Sequence, residues 1–161
     1  MEWQLARLYS AFSGKLDDGG LLREYGTGQI FRLRLVALRT KAEAYFTQHC
    51  NQDLEGRFDQ VCTAVKGFGD RRNEVAHGVV LPAEMFLGHG VRNINTWVLV
   101  PPYSMKRNFN EIDMPNYLYT SRELNRLFIS AGILHKEIEL FFNEIAKQFK
   151  YQGDRPAPEG H

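Results

Sequence analysis

Leu124, Leu127, Ala131, Leu134, Ile138, Phe141 and Ile145 return every three or four residues along the C-terminal part of the chain. An apolar stripe of that period lies along one side of an α-helix and must be buried against other elements. Just ahead of it, Thr120-Ser121-Arg122-Glu123 fits a capping box, with Thr120 as the cap and Glu123 reaching back. The spacing predicts a helix from there to about residue 149. Such a stripe usually packs within a helical bundle and less often forms a dimer seam.

The upstream sequence supplies partners for that helix. Leu5, Leu8 and Phe12 share one side of a short helix, which Gly14 and Asp17-Asp18-Gly19-Gly20 should break. A longer helix is predicted over 28–49, with Phe31, Leu35, Leu38, Ala42 and Tyr45 facing the core. A third starts at Asp53 and turns Leu54, Phe58, Val61 and Val65 inward. Gly67-Phe68-Gly69 should interrupt it, with Asp70 as the N-cap of a restarted helix that ends near Gly78 and Pro82. A restart there would aim free backbone N–H groups near Arg71 and Arg72 at an anion.

Residues 83–119 do not read as helix. Thr96-Trp97-Val98-Leu99-Val100 and Asn116-Tyr117-Leu118-Tyr119 are strand-like, and Pro101-Pro102 and the polar run Lys106 to Asn110 connect them. The expected architecture is therefore mainly α, a helical bundle over 1–152, with a small β-hairpin inserted at about 83–119 before the last helix. Residues 153–161, with two prolines, read as a flexible tail.

At 161 residues one domain with a proper core is expected. The net charge of +1 gives no global attraction to nucleic acid or membrane, so any anion site must come from local clustering. Cys50 and Cys62 have neither metal-ligand spacing nor a disulfide framework, and reduced thiols are expected. The N-terminus lacks the basic start and apolar core of a signal peptide, and no apolar run approaches membrane-spanning length. A soluble cytoplasmic protein is expected.

Local clustering is found in Asp70-Arg71-Arg72-Asn73-Glu74-Val75-Ala76-His77-Gly78. Arginine binds phosphate through a planar fork, and histidine exchanges protons near neutral pH. Asn73 and His77, four residues apart, share a helix face, whereas Val75, Ala76 and Val79 fall on the side expected to meet the core. Arg72 lies roughly 140° round the helix from His77, so one protomer does not aim both at one atom. Arg71 and Lys66 can add phosphate-directed charge, and the carboxylate of Glu74, in the same group, could orient the imidazole.

Arg72-Asn73-x-x-Ala76-His77-Gly78 resembles the signature of the HEPN superfamily: an arginine, a polar residue, then a histidine four to six residues beyond the arginine. The resemblance implies an antiparallel helical bundle and a homodimer whose site is composite. It implies a metal-independent endoribonuclease with no cofactor, in which Arg72, Asn73 and His77 are catalytic. Such enzymes commonly act in toxin–antitoxin or anti-phage systems, so the implied partners are RNA and a cognate antitoxin or defence protein. HEPN-like domains also occur as non-catalytic modules binding nucleotides, RNA or protein, and the hairpin insertion, absent from the minimal bundle, leaves that alternative open.

The remaining chemistry-bearing residues form weaker patterns. His89 and His49 have no partner spacing for zinc, and Gly67-x-Gly69 lacks the rest of a nucleotide-binding fingerprint. His135 falls near the inward face of the last helix, as a core histidine would. Tyr103, Tyr117 and Tyr119 could stack on bases, although aromatics in a small hairpin more often cover a core.

Overall fold

The structure, a computed structural model, describes residues 1–28, 30–86, 96–104 and 117–153. Five helices carry most of it: α1 (Glu2–Phe12), α2 (Gly19–Thr27), α3 (Phe31–His49), α4 (Gln52–His77) and α5 (Ser121–Gly153). Between α4 and α5 lie two short strands, β1 (Val79–Pro82) and β2 (Trp97–Val100), each followed by a 3₁₀ turn, at Ala83–Phe86 and Pro102–Ser104. The chain is thus mainly helical with a small antiparallel sheet ahead of the last helix. Among the described residues no helix is long and apolar enough to cross a membrane.

Contacts divide the chain into two compact units, residues 1–66 with 132–161, and residues 67–131. In the first unit most of the predicted stripe residues are buried, Leu5, Leu8 and Phe12 from α1, Leu35, Leu38, Ala42 and Tyr45 from α3, and Leu54, Phe58 and Val65 from α4, while Phe31 and Val61 are half-buried. Leu134, Ile138, Phe141 and Ile145 of α5 join them. Phe12 is the hub, with ring centroids 5.2 Å from Tyr45, 5.4 Å from Phe46 and 5.1 Å from Phe58. Cys62 is buried and free, its thiol pushed up to about 11 by burial, and Cys50 is free and exposed.

Two readings of helix boundaries are corrected. α1 ends at Phe12, ahead of Gly14 as expected, but a further helix that the reading lacked then follows: the Asp18 carboxylate accepts from the amides of Gly20 (2.9 Å) and Leu21 (3.0 Å), an N-cap that launches α2. Conversely, Gly67-Phe68-Gly69 does not interrupt α4, which runs unbroken from Gln52 to His77. Two interior glycines cost about 2 kcal/mol relative to alanine. Burying Leu54, Phe58 and Val65 outweighs this, at roughly 1.5–3 kcal/mol for each large apolar side chain. Asp70 is therefore an interior residue, and the amides of Arg71 and Arg72 are in the helical ladder with none left to receive an anion.

In the second unit the sheet starts earlier than predicted. β2 pairs antiparallel with β1, Val79 opposite Val100 and Pro82 opposite Trp97, so residues assigned to a fading helix form a strand. Val79, Val80 and Leu81 suit a pleated surface, and Pro82, lacking an N–H, is tolerated on this two-stranded sheet's edge. Of the expected second strand, Tyr119 pairs with Leu99 through both backbone bonds, at 2.9 and 3.0 Å. Asn116, the Lys106 to Asn110 connection, His89 and residues 154–161 lie outside the described residues. Val98 and Val100 turn inward with Ala83 and Phe86, and Leu81 and Leu118 pack against them. The capping box of α5 is formed: the Thr120 amide donates to Glu123 (2.7 Å), whose own amide donates to Thr120 Oγ1 (3.3 Å).

Gly78 joins α4 to β1 in a space no side chain fits. A Cβ there would lie 2.7 Å from Leu99 Cδ2 and 2.8 Å from the carbonyl oxygens of Glu74 and Val100. Two of these atoms are backbone, so the clash cannot be relieved by a rotamer change. Gly78→Ala is expected to destabilise the fold by about 2 kcal/mol. A thermal melt followed by circular dichroism should then fall by roughly 4–8 °C.

Candidate functional site

The signature residues occupy the last two turns of α4, before Gly78. Which side of the helix packs is fixed by Arg71, Glu74, Val75 and Gly78, which fall within an arc of roughly 100° at 100° per residue. Glu74 and Val75 are half-buried, and Gly78 is held against Leu99 and Val100. Arg72, Ala76, Asn73 and His77 fill an arc of roughly 140° on the opposite side. All four are exposed. Ala76, expected toward the core, lies instead between Arg72 and Asn73 on the open side.

The two sides differ in electrostatics as well as burial. On the packed side Arg71 donates to Glu74 Oε2 (3.1 Å) and to the Tyr119 hydroxyl (3.3 Å), and the Tyr119 hydroxyl donates to the same Glu74 oxygen at 2.5 Å. The Arg71 guanidinium also stands 4.5 Å from the centre of the Tyr117 ring. Tyr117 and Tyr119 meet edge to face at 5.4 Å, and Tyr103 approaches Tyr117 at 6.1 Å. The charge of Arg71 is thereby matched by a carboxylate and a tyrosine face.

On the open side no hydrogen bond or ion pair with another described residue engages Arg72, Asn73 or His77. Among the described residues, Asn73 and His77 satisfy no backbone group at the end of the helix. Lys66 is exposed on the part of α4 that belongs to the other unit. His49 stacks on Tyr45 at 4.1 Å with Nδ1 2.8 Å from the Tyr45 carbonyl oxygen, and His135 is half-buried on α5. Among the described residues no group of three His, Cys, Asp or Glu side chains converges as metal ligands would.

The pairing of Arg71 and Glu74 with the tyrosines was only partly visible in the sequence. Tyr117 and Tyr119, two apart in an extended stretch, had to share a face. Arg71 and Glu74, three apart on a helix, were neighbours by spacing. What joined the two pairs is the Leu99–Tyr119 backbone bridge, a contact between segments twenty residues apart.

Glu74 carries a pH signature of this network. Burial pushes its carboxyl up, but hydrogen bonds from Tyr117, Tyr119 and Arg71 outweigh it and hold the group below its ordinary 4.5. A depressed carboxyl stabilises the fold above the unfolded value and loses that contribution as pH falls through the folded one. Glu74→Gln is therefore expected to cost about 1 kcal/mol at neutral pH. It should also flatten the loss of stability below 4.5. Urea midpoints at neutral and acidic pH would measure both effects, and parallel wild-type and variant curves would show that Glu74 does not carry the slope.

Comparison with protein-family models, with curated proteins and with solved structures found no match to this chain.

Proposed function

We propose that this protein is a metal-independent endoribonuclease of HEPN type. The observation that carries the reading is the open side of α4, where Arg72, Asn73 and His77 are all exposed and bonded to no described residue. A histidine and an arginine that served only the fold would be expected to hold partners, as Arg71 does.

In the proposed reaction the ribose 2′-hydroxyl attacks the adjacent phosphorus. The P–O5′ bond breaks, leaving a 2′,3′-cyclic phosphate on one fragment and a 5′-hydroxyl on the other. His77 takes the proton from the 2′-hydroxyl or delivers one to the departing 5′-oxygen. Arg72 stabilises the charge that develops on the pentacoordinate phosphate. Asn73 holds the imidazole or a phosphate oxygen by hydrogen bonding. Arg72 and His77 stand at opposite margins of their arc, so the site is completed by a second copy, the Arg72 of one protomer serving the His77 of its partner. The small side chain of Ala76 between them leaves room for that approach. By analogy with the family, cytoplasmic action in toxin–antitoxin or anti-phage defence, restrained by a partner, fits such an activity.

The angular separation of Arg72 and His77 also favours a second reading, a non-catalytic module that binds RNA or protein through the same face. Incubation with structured RNA in excess EDTA separates the two. Under the enzyme reading the wild type cleaves to 2′,3′-cyclic ends, and His77→Ala loses activity by a factor on the order of 100 or more. Because His77 is exposed, the variant should keep its stability within about 0.5 kcal/mol. Equal cleavage by both proteins would overturn the role of His77, and absence of cleavage by either would favour the binding module.

A further inference from the structure

Helix α3 has two faces that carry no Asp, Glu, Lys or Arg. One is the packed side, where Leu35, Leu38, Ala42, Tyr45 and Phe46 are buried within an arc of roughly 100° at 100° per residue. The other lies opposite. Leu33, Val36, Ala37, Thr40, Ala44 and Thr47 fill an arc of about the same width, and all six are exposed. Leu33 is 57% and Val36 54% open to solvent. The charged residues of the helix, Arg32, Arg34, Arg39, Lys41 and Glu43, all fall in the two borders between these faces. A surface helix ordinarily turns its charges away from the core, and an uncharged outer face belongs to a helix covered on both sides. Its two hydroxyls are already satisfied. Thr40 Oγ1 donates to the Val36 carbonyl (3.2 Å) and Thr47 Oγ1 to that of Glu43 (2.8 Å). Covering the face therefore leaves no side-chain donor unpaired.

The borders and the shape of the face indicate what covers it. On one border Arg32 and Glu43, both exposed, stand about 16 Å apart along the axis at 1.5 Å per residue, and neither side chain is bonded to a described residue. Of the other arginines, Arg34 holds Glu2 (3.0 Å) and Arg39 holds Asp59 (3.4 Å). Two copies of α3 laid antiparallel about a two-fold axis near Ala37 bring this border against itself, so that Arg32 of each copy meets Glu43 of the other. The same register sets Leu33 over the hollow between Ala37, Thr40 and Ala44 of the other copy, where the side chains are small. Charge and shape thus select one register independently. A parallel pairing would bring Arg32 and Arg39 against the border of Arg34 and Lys41, all cations.

We propose that the outer face of α3 is a self-association surface, where two copies of the chain pair antiparallel with Leu33 in the Ala37–Ala44 hollow and reciprocal Arg32–Glu43 ion pairs. The surface lies in the unit that does not carry the signature, and the inference does not rest on the ribonuclease reading.

Sedimentation equilibrium of the full chain tests it. Wild type is expected to show a monomer–dimer equilibrium that weakens with added salt. Arg32→Glu and Glu43→Arg each set like charges at both ends of the pairing and should raise the dissociation constant on the order of tenfold. The double variant Arg32→Glu/Glu43→Arg restores opposite charges and should recover most of the loss. Both side chains are exposed, so circular dichroism should show all three variants folded like wild type. Cross-linking tests the register in a Cys50→Gly background, which suits the left-handed backbone at that position (φ 49°) and removes the exposed thiol. There Ala37→Cys, beside the two-fold axis, should join two copies by a disulfide under mild oxidation, and Gln48→Cys, at the end of the helix, should not. A monomer at every concentration, a dimer indifferent to the single reversals, a double variant no better than the singles, or equal cross-linking at both cysteines would each overturn the proposal. A dimer that persists in Leu33→Asp would also overturn it, by assigning association to another surface.

Discussion

Phe12 makes the contact on which the larger unit depends. Its ring touches Tyr45, Phe46 and Phe58 at centroid distances near 5 Å, and Phe58 carries the cluster on to Phe141 at 6.1 Å. Four helices, α1, α3, α4 and α5, thereby share one aromatic centre. Aromatic side chains remove large apolar areas from water and add edge-to-face attraction of about 0.5–1.5 kcal/mol per pair. Phe58 ties the first half of α4 into this cluster, nine residues ahead of Gly67. An unbroken α4 leaves no free helix N-terminus beside Arg71.

In the smaller unit the corresponding contact is polar. Tyr119 is bonded through its backbone to Leu99 and through its hydroxyl to Glu74, with Arg71 completing the triangle. A half-buried carboxylate with three donors is strongly oriented on the packed side of α4. The consequence is a division of labour between adjacent arginines. Arg71 is engaged by Glu74 and Tyr119, and Arg72, about 100° further round, is exposed. An arginine pair in sequence is thus resolved by packing into one brace and one exposed cation.

The helices were legible in the sequence wherever apolar periodicity was strong. The capping box of α5 formed as read, because it is a local exchange of two hydrogen bonds within four residues, and the stripe is buried from Leu134 to Ile145 while Leu124, Leu127 and Ala131 are half-buried. Asp18 was equally local, but the flanking glycines gave it the look of a break. At Gly67 and Gly69 intrinsic propensity pointed to an interruption, and tertiary burial on the preceding turns overrode it. β1 was hidden because Val79 to Pro82 follow a helix and contain a proline, and only pairing with Trp97 to Val100 makes them a strand.

The sequence alone determined the helical class, the buried stripes and the signature's three side chains, because period and spacing are properties of one element at a time. It also fixed that Arg72 and His77 cannot point the same way from one helix, since 100° per residue is a property of the backbone. Only the tertiary structure decided which arc of α4 is packed, that Arg71 and Glu74 bond tyrosines more than forty residues later in the chain, and that Trp97 stands in solvent. Those outcomes depend on contacts between segments distant in sequence, whose free energies no single stretch of chain contains.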